Sequence, residues 1–445
     1  MHRRFASSTI AAGVLAAAMF AAPAAKAAFS TPFSLSPGGS MAGLVTLAAG
    51  PQVLAAWDGG TQYAFATETS GVWSTPAAIA NALSSATCCT VLHADGAGNA
   101  TLVFSNSTLG VFTSDYSAGT WSAVAQLPSS SPYFVNGFSA FVENANADAA
   151  VIGLGSDFRA IRRTAGGAWG SPETIPMPTL APNTAATIDN AAIGPSGELV
   201  VSFHIAEQDC EGQCGLMLYA AWEAQAGSGW QLSPGLFGHA QGTYMQSQPF
   251  IDGAGRAGIA YSTQFGSYAE LRTVTQGPSG VWAHTRTLDK QPAVQGRHRV
   301  LFALSGVASD ADGNATVVYM SHLPHRTGDQ VRYVDGSVAT NTWSPPVTLI
   351  NNGPLNTPGM GLHFASNNVG GIVLAWDNVD APITVGARAQ AGAPWQMTGP
   401  VGPSSCGSPQ ATCTKVLALS IDDSGVQRIL FDNDEATGMY FAQSL

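Results

Sequence analysis

Asp310-Ala-Asp-Gly313-Asn-Ala-Thr-Val-Val-Tyr319 is followed by a polar excursion, then by Gln330-Val-Arg-Tyr-Val334 and Trp343-Ser-Pro-Pro-Val-Thr-Leu349. The Asp is an acceptor for backbone N–H groups and the Gly supplies a positive φ, which together make a tight turn. The alternating β-branched residues behind it make a strand. Nine residues separate the first turn position from a large apolar residue, and the interval recurs at Asp95/Phe104, Gly194/Phe203, Asp252/Tyr261 and Asp422/Phe431. Degenerate copies keep it at Ala48/Trp57, Glu143/Ile152 and Asn367/Trp376.

The second half of the unit is a Trp followed by small and Pro residues, at Trp73, Trp121, Trp169, Trp230, Trp282, Trp343 and Trp395. The last unit lacks it, and Phe29-Ser-Thr-Pro-Phe at the other end of the chain supplies the counterpart. Each unit divides into four short strands, lettered a to d, with the turn between a and b and the Trp on d. A period of roughly 40–50 residues with four strands is the pattern of an all-β propeller of four-stranded antiparallel blades. The count is eight blades, or seven if one degenerate copy is not a blade. The N-terminal strand pairs into the last blade and closes the ring. The repeated Trp residues are read as packing between blades, and Asp310-Ala-Asp312-Gly-Asn314 as a turn rather than a calcium loop, since it lacks the distal Glu.

Residues 1–27 have the layout of a secretory signal peptide: His2-Arg3-Arg4, an apolar run, and Ala25-Lys26-Ala27 as cleavage site. The expectation is a secreted or periplasmic protein whose mature part, 28–445, is one propeller domain and a monomer. No later run is long enough to span a membrane. Charged residues make up 10% of the chain and the net charge is −11, which argues against a nucleic-acid partner. No motif for a cofactor or a metal is present. The six cysteines fit an oxidising compartment. Cys210 with Cys214 and Cys406 with Cys413 suggest local disulfides, whereas Cys88 and Cys89 pair with each other or elsewhere.

The a–b turns are short, so one face of the ring is plain and the long d–a and b–c segments crowd the other. Loops braced on a rigid scaffold are where function concentrates. Asp58, Asp377 and Asp432 directly follow strand b in units 1, 7 and 8. His204 holds that place in unit 4, and His322 lies near it in unit 6. His239, Tyr244, Arg297, His298, Arg299, His325 and Arg326 fall in the same sector. An acidic arc thus faces a His/Arg-rich arc across the channel. His204, His322 and Tyr244 are the acid/base candidates, and the others are candidates for holding substrate.

The Asp-x-x-Gly-x-Ala-x-Val-x-aromatic and Trp-Ser-x-Pro motifs resemble repeats of secreted bacterial β-propellers of the sialidase-type (BNR-repeat) superfamily, over nearly all of residues 28–445. Ser-x-Asp-x-Gly-x-Thr-Trp boxes and a three-Arg carboxylate clamp are absent. The resemblance implies a propeller that recognises glycans or another cell-surface partner through its long-loop face, as a binding or scaffold protein. The alternative is a carbohydrate-active enzyme, a polysaccharide lyase before a glycoside hydrolase. By analogy with propeller lyases that cut uronic-acid polymers, His204, His239, Tyr244, Arg299 and His322 would then form its site.

Overall fold

The computed structural model describes residues 29, 33–36, 41–47, 52–83, 89–106, 110–128, 138–154, 157–207, 216–238, 243–265, 268–277, 280–292, 301–323, 328–351, 362–378, 381–401, 415–433 and 438–444. These form eight antiparallel sheets and no helix. The innermost strands (a) of blades 1 to 8 are Met41–Leu47, Thr90–Ala94, Ala140–Glu143, Thr184–Ile193, Thr243–Ile251, Leu301–Ser309, Leu362–Ser366 and Lys415–Ile421. Each packs against the next, and the eighth packs against the first. The molecule is therefore a closed eight-bladed propeller, and seven blades are excluded. The last sheet takes its outer strand from Phe33–Ser36, with Phe33 opposite Phe441, and Phe29 bridges Ser444.

The turns have the expected chemistry. Asp310 Oδ1 accepts from Asp312 N at 3.0 Å and Asn314 N at 2.8 Å, while Gly313 takes φ +84°. Asp95, Asp252 and Asp422 repeat the pattern, and Asn144 and Asn367 provide it in the degenerate copies. In blade 3, Ala147 adopts the left-handed conformation at φ +67°, the position glycine holds elsewhere.

Every Trp of strand d packs into the core shared with the preceding blade: Trp73 with blade 8, Trp121 with blade 1, and so on to Trp395 with blade 6. Phe29 fills the corresponding place between blades 7 and 8. The core is thus eight wedges around the ring, not one central mass.

The small residue after the Trp has its own work. In blades 1, 2, 4 and 6 the outer strand is broken into two pieces that both pair with strand c. A Ser sits at each break and replaces the ladder on both sides. Ser233 N donates to Ala220 O at 2.8 Å, and Ser233 Oγ accepts from Ala220 N at 2.8 Å. Ser74, Ser122 and Ser344 do the same with Thr67, Asp115 and Asp335. In blades 1, 4 and 6 a Pro, with no N–H to donate, accounts for the interruption.

Candidate functional site

His204 lies near the loop-face end of blade 4 strand b (Leu199–Glu207). The preceding Phe203 is fully buried and stacks on Tyr219, so the strand end is rigid. Strand a opposite slips register between Ile188 and Asn190, which makes Asp189 the extra residue of a β-bulge. Bulges re-aim a side chain, and here the carboxylate meets the imidazole: Asp189 Oδ1 lies 2.6 Å from His204 Nδ1. Ser247 Oγ, from the inner strand of blade 5, donates to Asp189 Oδ2 at 3.1 Å and lies 2.9 Å from Ser202 Oγ.

Groups from two blades therefore fix the carboxylate. The Asp189 side chain is 12% exposed and that of His204 21%. The carboxylate, an acceptor only, takes the Nδ1 proton in this contact and orients the ring. The inner strands of blades 1, 5, 6 and 8 also slip. Their extra residues are Ala42, Met245, Ser305 and Leu417, so blade 4 alone among these bulges presents an ionisable group.

Of the other acid/base candidates, Tyr244 lies on the inner strand of blade 5, three positions before Ser247, with its backbone opposite Thr263. His322 is opposite Leu301 at the loop-face end of blade 6. Asp377 and Asp432 are the penultimate residues of the second strands of blades 7 and 8, Ile372–Asn378 and Gln427–Asn433. The side chains of these four lie outside the described residues, as do His239, Arg297, His298, Arg299, His325 and Arg326 entirely. Asp58 is described: its Oδ1 accepts from Gly60 N at 2.7 Å and holds the b–c turn of blade 1. Cys88, Cys210, Cys214, Cys406 and Cys413 also lie outside the described residues, and the Cys89 carbonyl accepts from Ser105 N at 3.1 Å. The described residues contain no metal-binding group of His, Cys, Asp and Glu, and no helix long and apolar enough to cross a membrane.

Many of the scarce charges tie blades together. Arg163 of blade 3 holds Asp115 and Thr101 of blade 2 at 2.7 and 2.8 Å, and its guanidinium lies over Trp169. Arg388 of blade 7 repeats this with Asp335 and Thr316 of blade 6 and with Trp395. Arg162 pairs with Glu223, both buried, across blades 3 and 4. Tyr319 donates to Asp289 Oδ2 at 2.7 Å, and Arg332 holds the same carboxylate. Burial, with Asp289 beside it, pushes the Tyr319 phenol far above its ordinary range, so this tyrosine is a strut rather than an acid.

Asp189 was missed by motif reading because it belongs to no motif. Its one signal is a carboxylate inside Ile188-Asp-Asn, in the middle of a strand.

Comparison with protein families and with curated proteins gives no match. Solved structures of similar shape include a PL25 ulvan lyase bound to -[GlcA(1-4)Rha3S]-, at 10% identity and TM-score 0.43, over 82% of this chain and 94% of that one. An α-L-arabinanase from Penicillium chrysogenum has 13% identity and TM-score 0.36 over 68% and 91%. The Hadza microbial sialidase Hz136 has 11% identity and TM-score 0.34 over 94% and 66%. The assignment to the β-propellers rests on the eight sheets of the chain itself.

Proposed function

We propose that the protein is a carbohydrate-active enzyme whose chemistry takes place at the loop-face end of the blade 4–blade 5 interface. His204 is its acid–base residue and Asp189 the residue that positions it. The 2.6 Å contact between Asp189 Oδ1 and His204 Nδ1, built on a bulge and braced from the next blade, carries the reading.

Elimination is preferred to hydrolysis. Glycoside hydrolysis ordinarily needs two carboxyl groups flanking the bond. Among the described residues, the Asp189 carboxylate is turned to the imidazole and Asp58 holds a turn. In elimination from a uronate polymer, Nε2 takes the proton on C5. The C4–O bond breaks with its electron pair going to oxygen, a C4=C5 double bond forms, and the leaving oxygen is protonated. Tyr244, on the strand that carries Ser247, is the candidate for that last proton. A binding propeller without turnover is the second reading, favoured by how many charged side chains serve as ties between blades.

The test is incubation of the purified protein with neutral, uronic-acid and sulfated polysaccharides, following new chain ends and the ultraviolet absorbance of an unsaturated sugar. The expected result is absorbance-bearing ends from a uronate polymer. His204→Ala should lower the rate at least about 100-fold at unchanged thermal stability, within the span of general acid–base catalysis. Retention of a polymer without cleavage selects the binding reading. Cleavage unaffected by His204→Ala overturns the assignment of the site.

A further inference from the structure

A groove of about 520 Å3 opens between blades 6 and 7 on the face that carries the a–b turns, opposite the loop face. From the short turns this face is expected to be plain, and at this point it is not. One side of the groove is the rim of blade 6. Asn314 is opposite Ser337, Thr316 opposite Asp335, and Ser337 opposite Thr342, so these five side chains share one surface of the sheet. Ala391 and Gly392 of blade 7 form the other side, with no bulky side chain to close it.

Its central group is fixed from beneath. Asp335 is 38% exposed, whereas Arg388 is 1% exposed. Arg388 holds Asp335 Oδ1 at 3.0 Å and Oδ2 at 3.2 Å and donates to Thr316 Oγ1. Thr316 Oγ1 in turn donates to Asp335 Oδ1 at 2.5 Å. The carboxylate is thus held rigidly, with accepting capacity left on Oδ2. The buried guanidinium cancels its charge. What the groove offers is a neutral, preorganised acceptor among hydroxyl and amide groups, in a volume typical of small-molecule sites.

We infer that this groove binds a neutral sugar residue, whose adjacent hydroxyls donate to Asp335 and exchange hydrogen bonds with Ser337 and Thr342. An anionic sugar would meet a carboxylate already in balance. An apolar ligand would cover the Ser337 hydroxyl and the remaining acceptor capacity of Asp335 without replacing their hydrogen bonds to water, which is costly. The inference does not depend on His204, which lies at the other end of its strand's direction through the ring.

The test is saturation-transfer NMR and calorimetric titration with glucose, galactose, rhamnose and glucuronate, and with neutral oligosaccharides of the same sugars. At least one neutral sugar should bind, more tightly than glucuronate. Ser337→Phe, which fills the groove from a strand position without side-chain ties, should weaken it at least 10-fold. Asp335→Asn should weaken it as well, and His204→Ala should leave it unchanged. Binding of monosaccharides as tightly as oligosaccharides indicates a free sugar. Binding of oligosaccharides alone indicates a residue within a glycan. No binding by any neutral compound, tighter binding of glucuronate, or unchanged affinity in Ser337→Phe overturns the inference. Loss of polysaccharide cleavage in His204→Ala with groove binding intact would keep the two sites separate.

Discussion

Glu143 ends the inner strand of blade 3 with its side chain 1% exposed. Arg163 holds its Oε1 at 2.7 Å and Thr101 donates to the same oxygen at 3.1 Å, but Oε2 is buried without a hydrogen-bond partner. Burial outweighs the Arg163 charge and pushes the carboxyl up to about 7. Because the folded pKa lies above the unfolded one, the folded state binds more protons between them. Stability from this group is complete below the unfolded pKa and falls as pH rises toward 7, by about 3 kcal/mol at most. Glu143→Gln should remove this slope and leave the protein at least as stable as wild type at pH 8. Urea unfolding at pH 5 and pH 8 measures it, and equal slopes in the two proteins would refute the account. His93, whose ring meets Phe141 edge-on nearby, has the opposite sign: burial lowers its imidazole to about 4, so its contribution is lost as pH falls through the interval below its ordinary value. Neither group is special in the sequence: the nine-residue interval puts Glu143 at the first position of the turn, which the structure gives instead to Asn144, one residue on, and His93 is one residue in an alternating strand. Asp189 was hidden for a related reason, since a bulge is a property of register and spacing along one strand does not reveal it.

At the scale of the strand, the Trp-Ser-x-Pro motif was legible as a repeat, but only half its meaning was. The Trp was correctly read as packing between blades, because a large residue at one fixed place in every unit must face the same neighbour. The Ser reads only as one of the small residues after the Trp, yet it mends the outer ladder where the strand breaks. That role predicts different costs for one substitution in different blades. Ser233 is buried, and its Oγ accepts from the buried Ala220 N. Ser233→Ala leaves that N–H unpaired away from water and should cost about 1–3 kcal/mol. Ser74 accepts from Thr67 N where water can replace it, so Ser74→Ala should cost well under half as much. Parallel chemical-denaturation curves for the two variants decide the matter, and equal losses would mean that the hydroxyl is a spacer after all. The interblade clamps Thr101/Asp115/Arg163 and Thr316/Asp335/Arg388 were likewise out of reach, because their members come from separate repeats. Their common signal is Asn-Ala-Thr at the start of strand b, at 99–101 and 314–316.

The ring as a whole was the most legible feature, because each blade repeats the same local instructions and closure requires only that one end supply what the other lacks. Phe33 opposite Phe441, Ser34 opposite Tyr440 and the Phe29–Ser444 bridge realise that closure. Convergence of side chains across the channel is not legible from the sequence, since it is set by how blades are placed in space. Closure has a thermodynamic consequence. The outermost strand of blade 8 pairs Phe33–Ser36 with the last described strand, and without it Gly438–Gln443 becomes an unpaired edge. An exposed edge invites pairing with another chain. Removing Phe29 also takes an aromatic side chain from the wedge between blades 7 and 8. A variant that begins at residue 37 should therefore melt at lower temperature than one that begins at residue 28, and should form dimers or larger species as concentration rises. Light scattering coupled to gel filtration, alongside thermal melts at two concentrations, tests both parts. If the shortened chain stays monomeric with an unchanged melting temperature, blades 1 and 8 are held by their inner strands, Met41–Leu47 against Lys415–Ile421, and the N-terminal strand is dispensable to the ring.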